Sequence, residues 1–302
     1  MTLLKMKDTT YLEYAKERNS LSSSAVEGML LRGEKLLAQT PLVNTLVHGG
    51  SVFFPHASIM ECGDQVAAAA LASLLACKES GKNQILALGV LHGFVEPLYS
   101  LVKDMRMGRD LLKNPHRRIY GPGLPLQENL SGEFSLDNFH FLLRDAAQFL
   151  HMEMPSVISR YIPLVNGEPK SIPEIGDLQK LAKESIIIAT ADPMHHGIAY
   201  GTPPEKCLPI SPAAYELASR IIDGALSFLS GDDLDAFQKY CWDNRSDADN
   251  VGQILRFLLG PLKGVIHDLK LINVEKLYPE NCHPSWVAAA LIELMPLLGD
   301  PE

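Results

Sequence analysis

The chain has 302 residues, 46% of them hydrophobic, which is enough to bury a large core. A formal net charge of −9 argues against general nucleic-acid binding and against attraction to an anionic membrane. Five cysteines (62, 77, 207, 241 and 282) are odd in number, scattered and without a Cys-x-x-Cys pair, so they suggest neither a disulfide framework nor a zinc knuckle.

The first residues lack the apolar core of a secretory signal, and the longest apolar stretch, 66–77, falls short of the ~20 residues of a membrane span. The expectation is a cytoplasmic protein with no membrane and no nucleic-acid partner. No repeat or long linker divides the sequence, so 1–302 reads as one domain, with 1–45 as an N-terminal helical extension.

Residues 23–39 place Val26, Met29, Leu30, Gly33 and Leu37 on one face, with Ser24 and Glu27 in capping-box spacing, and predict a helix. Residues 51–54 (SVFF) read as a short strand ending in Pro55-His56. An apolar helix follows at about 64–78, and QILALGV (84–90) is the next strand, ending in Leu91-His92. Strand, helix, strand at this spacing is a β-α-β unit, whose strands run parallel through a right-handed crossover. His56 and His92 are then expected to leave the same edge of one sheet.

Between Lys103 and Arg118 the chain holds six Lys/Arg and two Asp. Such a segment is either a solvated surface loop or a mobile lid whose arginines grip a substrate carboxylate. A helix over 135–150 follows, and His140 and His151 read as partly buried helical histidines rather than ligands. Then come a strand at 158–165, a helix at 173–184 and a strand at 185–191. This strand runs into TADPMHHG (190–197), where a turn explains Asp, Pro and Gly but not two histidines. Unbroken Ile/Val/Leu runs predict strands covered on both faces, hence an α/β fold with a mostly parallel central sheet between helices. Helices dominate 211–260, and WVAAALIEL (286–294) reads as a strand or a short helix.

Three predicted strands each meet a histidine within four residues of their carboxyl ends, although the chain holds only ten. Ligands of open α/β sheets bind at those ends, so His56, His92 and His195 are expected to share one pocket. Imidazoles bind Fe(II), Cu and Zn, and two histidines with a carboxylate and open positions is the arrangement of non-heme iron oxygenases. The plainer alternative is that each histidine donates to a loop carbonyl. Glu61 and Glu96 follow the first two histidines closely and are either surface groups or orient an imidazole.

The segment VFFPHASIMECGDQVAAAAL resembles the stretch that opens the Memo family, and ILALGVLHG resembles its next strand. GEFSLDNFHFLLRDAAQFL, IPLVNGE and IIIATADPMHHGIAYG are similar to its following motifs, in the same order over roughly 45–260. Memo proteins share their fold with the class III extradiol dioxygenases, Fe(II) enzymes that open catechol rings with O₂. The resemblance implies metal-binding roles for His56 and His92, an acid/base role for His195, and Asp192 as the residue that fixes the His195 tautomer or caps the turn. It makes His196 a pocket wall.

Two departures stand out. Where relatives place Cys or Glu as third ligand, this chain has Asp247 or Asp249, with Asp247 preferred and Cys282 too far along to fit. A carboxylate there favours Fe(II) over Cu or Zn. Phe134 stands where both relatives usually carry a histidine, which counts against simple catechol cleavage. The expected function is a non-heme Fe(II), O₂-dependent oxygenase acting on a small aromatic or amino-acid-like molecule. Its rivals are a metal-dependent hydrolase and a non-catalytic metal- or phosphopeptide-binding adaptor of Memo type. A homo-oligomer is compatible with any of them.

Overall fold

A computed structural model describes residues 10–124, 130, 132–278 and 280–297. Among the described residues, three helices precede the first strand: α1 (Thr10–Asn19), α2 (Ser23–Leu37) and α3 (Leu42–Val47). Ser22 caps α2 by accepting from the Ala25 amide, so the cap lies two residues before the Ser24 expected from the capping-box spacing. After β1 (Ser51–Phe54) comes α4 (Ile59–Ser80), which begins five residues before the expected start at 64 and stops at Gly81, in the left-handed conformation of a helix end. By length and composition α4 qualifies as a membrane span, but it lies mostly buried inside the fold. A Cβ at Gly33 would fall 2.7 Å from the Ala67 Cβ and 2.8 Å from the Ala68 amide, so glycine lets α2 lie directly on α4.

The remaining elements are β2 (Gln84–Val90), α5 (Glu96–Arg106), α6 (Asp137–Phe149), β3 (Ser156–Ile162), α7 (Ile175–Glu184), β4 (Ile186–Thr190), β5 (Met194–Gly197), α8 (Pro212–Phe228), α9 (Leu234–Asp243), α10 (Ala248–Leu259), β6 (Leu262–Asn273) and β7 (Ser285–Pro296). WVAAALIEL is therefore strand. Its neighbours bury both faces, which erases the alternation that would have revealed it.

The sheet runs β3-β2-β4-β1-β7-β5, with β6 on the other side of β7. Only half of it matches the expected parallel pattern. β1 and β2 are parallel as predicted, but β4 lies between them and pairs with both, and β3 extends the parallel block. β7 runs antiparallel to β1, β5 and β6, so the sheet is mixed rather than mostly parallel. The cause is a pair of twelve-residue strands, β6 and β7, joined without a crossover helix and hence free to pair antiparallel.

Helices do cover both faces. Val52, Phe54, Ile85, Ala87, Ile186 and Ile188 pack toward α2, α3, α4 and α6. Phe53, Leu86, Leu88, Ile187 and Ala189 pack toward α8, α9 and α10. Each buried Leu, Ile or Phe contributes about 1.5–3 kcal/mol, so this two-sided burial holds the strand ends rigidly.

Candidate metal centre

The parallel strands deliver their polar residues with a common offset. β1 ends at Phe54, β2 at Val90 and β4 at Thr190, and His56, His92 and Asp192 each stand two residues beyond. Phe54 lies opposite Thr190, and Leu88 opposite Ala189, so the three ends are level and their exits meet. His195 arrives differently. TADPMHHG is not only a turn: Met194–Gly197 forms β5, paired antiparallel with β7. β7 passes along β1 and then beyond its carboxyl end, carrying β5 into the space where the other exits gather. Asp247 completes the group from the residue before α10. Its side chain leaves that helix uncapped and instead accepts the Asp192 amide on Oδ1 at 2.7 Å.

His56, His92 and Asp247 offer ligand atoms within 4.8 Å of one another, and Asp192, His195 and Asp247 form a second such set. Of the two acidic candidates it is Asp247 that faces the histidines. The buried Asp249 is taken up by Trp242 Nε1 at 2.6 Å, and burial pushes its carboxyl up to about 7.

Each imidazole has its tautomer set from behind. His56 Nδ1 lies 2.9 Å from Thr190 Oγ1, and that hydroxyl donates its proton to the Phe54 carbonyl at 2.9 Å, so it must accept from the ring. His92 Nδ1 lies 2.9 Å from Glu133 Oε1, while the His92 amide donates to Oε2 at 2.9 Å. His195 Nδ1 donates to the Arg245 carbonyl at 2.7 Å. In all three rings the remaining lone pair is therefore on Nε2, the state of a ligating histidine oriented by an outer partner.

The consequence is sharpest at His56. Its Nε2 stands 3.2 Å from Asp247 Oδ2 and 3.6 Å from Asp192 Oδ2, and both Nε2 and Asp247 Oδ2 are buried without a hydrogen-bond partner. Two lone pairs this close repel unless a proton or a metal ion lies between them. Burial pulls the imidazole down, but the Asp192 and Asp247 charges outweigh it and raise His56 to about 9. Burial pushes the Asp192 carboxyl up; for Asp247 burial is outweighed, chiefly by His56, and the carboxyl falls below its usual range. Against burial, the His92 ring holds Glu133 low. These groups fit a divalent cation: the donors are borderline nitrogens and a carboxylate, and the buried atoms lacking partners converge on one point.

Aromatic rings close one side. Phe134 stacks on His92 at 4.4 Å and meets Tyr14 of α1 at 5.1 Å, and Phe94 stacks near both, 5.1 Å from His92 and 6.2 Å from Phe134. Tyr200 packs against His195 at 4.7 Å and Tyr278 against Tyr200 at 5.6 Å.

Several expectations need correction. Asp192 does not fix the His195 tautomer; that is done by the Arg245 carbonyl, while Asp192 Oδ1 accepts the His56 amide at 3.2 Å. His196 is not a wall of this pocket. Strand alternation turns it to the opposite face, where it stacks on Trp286 at 4.6 Å and accepts the Leu208 amide at 3.0 Å. Glu61 and Glu96 are exposed, and the imidazole-orienting carboxylate is Glu133. His140 bonds Ser159 from α6 at 2.8 Å as a satisfied helical histidine, but His151 lies past the helix end, exposed, at φ 52°. The basic segment is neither free loop nor free lid at its distal end. Arg117 is buried, donating to the Val165 carbonyl and Ser171, and Arg118 pairs with Glu174 at 2.7 Å. Cys282 is buried with its thiol 3.8 Å from Asn281 Oδ1.

The sequence did not single out Glu133, Thr190 or Arg245. Glu133 had a signal, an acid two residues before an apolar helix start; the Arg245 role belongs to a backbone carbonyl and leaves no trace in residue type. No protein-family model and no curated protein matches this chain.

Proposed function

We propose that the chain is a non-heme Fe(II), O₂-dependent oxygenase of the Memo/class III extradiol dioxygenase kind, acting on a small, planar aromatic or amino-acid-like metabolite. The observation that carries this reading is the His56–His92–Asp247 set, with both imidazoles locked to present Nε2. Two histidines and one carboxylate leave positions open on ferrous iron, where a substrate donor and O₂ can bind together. Asp247, at the place where Memo proteins carry Cys and the dioxygenases Glu, favours iron over copper.

The chain's own residues do the rest. Thr190 and Glu133 hold the ligating rings in one tautomer and one orientation. The aromatic faces of Phe94 and Phe134 favour a flat substrate and exclude water from the His92 side. His195, with its lone pair on Nε2 and the Arg245 carbonyl behind it, takes a proton from a substrate hydroxyl or amine. Phe134 provides no proton-transfer group at its position, so proton movement falls to His195.

The test is anaerobic loading with Fe(II), followed by O₂ uptake across a panel of catechols, aminophenols and aromatic amino acids. O₂ consumption that depends on substrate and disappears in His92→Ala is the expected result. Substrate turnover at an undiminished rate without O₂ replaces the oxygenase with a metal-dependent hydrolase built on the same ligands.

A further inference from the structure

Asp247 belongs to two ligand sets, and the oxygenase reading uses only the first. We infer that Asp192, His195 and Asp247 form a second divalent-cation position, adjacent to the first and sharing the Asp247 carboxylate with it. It goes beyond the one-metal reading above.

His195 is built as a ligand is built. Its Nδ1–H goes to the Arg245 carbonyl at 2.7 Å and its amide to the same oxygen at 3.2 Å, leaving Nε2 with a free lone pair. Arg245 holds a left-handed φ of 58°, a conformation disfavoured for a residue with a Cβ. Its guanidinium secures it there, donating to the Tyr200 carbonyl at 2.7 Å and the Gly201 carbonyl at 2.8 Å. The backbone thus accepts strain at the point that orients this imidazole.

The carboxylates supply the second reason. Asp192 is buried, and its amide donates to Asp247 Oδ1 at 2.7 Å, so the two carboxylates lie side by side. Their ligand atoms and that of His195 lie within 4.8 Å of one another, and a cation held among them would offset the repulsion of two adjacent carboxylates. Carboxylates shared in this way are the bridges of two-metal sites, whose ions lie about 3.5–4 Å apart. With one imidazole against two, and with a like charge beside it, the second position is the weaker. Filling it takes the His195 lone pair, so excess metal suppresses the proton transfer assigned to His195.

Mn(II) alone, titrated anaerobically into the full chain and followed by bound-metal analysis and electron paramagnetic resonance, tests this without turnover. The expected result is two equivalents, the second weaker, with the six-line signal of the first ion collapsing as the second couples to it. His195→Ala and Asp192→Asn should each bind one equivalent and keep the uncoupled signal. Should a variant fail to fold, the wild-type stoichiometry and coupled spectrum decide alone. One equivalent in the wild type overturns the second position and leaves the first standing, whereas no bound metal overturns both. Two uncoupled equivalents, or two equivalents kept by both folded variants, also overturn it.

Discussion

His56 Nδ1 lies 2.9 Å from the Thr190 hydroxyl, and Thr190 in turn donates to the carbonyl of Phe54, the last residue of the strand that carries His56. This loop of two bonds ties a ligand to the sheet through the neighbouring strand. Thr190→Val keeps the shape and removes the acceptor. It should weaken metal binding by about 10–100-fold, the usual cost of losing an outer partner. It also leaves a buried N–H unsatisfied, at about 1–3 kcal/mol of stability. Thr190→Ser should restore both. Metal titration and thermal melting of the two variants check this, and unchanged affinity in the valine variant removes the tautomer argument.

Glu133 accepts from the His92 ring and amide and from the amides of Phe134 and Ser135. Glu133→Gln replaces one acceptor oxygen by a donor among four donors. The expected outcome is again a 10–100-fold loss of metal affinity, with a cobalt-substituted visible spectrum altered at the His92 ligand. A merely structural Glu133 would lower the melting temperature and leave the spectrum of the folded fraction as it was.

The parallel half of this site was legible in the sequence because it obeys a local rule. Each strand is a short apolar run, and His56 and His92 follow those runs at a fixed distance. The antiparallel half was not legible. β5 is four residues long and exists only because β7, about ninety residues later, pairs with it. β6 carries β-branched and alternating residues after Gly260-Pro261, a signal that the helical surroundings masked. The side on which Asp249 falls depends on the helical rotation at the start of α10, which a register uncertain by two residues cannot resolve.

Metal binding should release a proton. In the metal-free chain His56 titrates at about 9, so at pH 7.5 its ring is protonated and that proton must leave when an ion binds. Affinity should therefore rise about tenfold per pH unit between 7 and 8.5, and level off as the pH passes 9. Calorimetry in two buffers of different ionisation enthalpy counts the proton directly. The stability term runs in the opposite sense. A pKa raised from about 6.5 to about 9 stabilises the metal-free fold below pH 6.5 and is lost as the pH rises through 9, on the order of 3 kcal/mol. A metal-free protein equally stable at pH 6 and pH 10 removes the charge arrangement drawn around His56.

Asp249 gives a pH dependence that is separate from the metal. Burial raises its carboxyl to about 7, so between about 3.9 and 7 the folded chain binds a proton that the unfolded chain does not. Stability from this group is then highest at low pH and is lost as the pH rises toward 7, by on the order of 4 kcal/mol. Asp249→Asn should flatten that slope and still bind metal, whereas Asp247→Asn should lose metal. Denaturant melts from pH 4 to 8 and a metal titration on both variants check it. Equal metal loss in the two would mean that Asp249 also supports the ligands.

His195 separates the catalytic reading from a structural one. His195→Gln retains a polar side chain but removes the imidazole nitrogen that would take up a proton, so the first metal should stay bound while turnover falls. Proton transfer by a placed side chain contributes about 10²–10⁴-fold, and the single-turnover rate should drop by that factor. The second metal equivalent should weaken in the same variant, because the amide is a poorer donor than the imidazole. If His195 only braces the Arg245 carbonyl, the change appears as a lower melting temperature, with the rate per folded, iron-loaded molecule intact. If it belongs to the first metal set, iron leaves together with the imidazole. Iron occupancy, melting temperature and rate measured on this single variant give a different pattern for each case. A folded, iron-loaded variant reacting at the wild-type rate rules out proton transfer by His195.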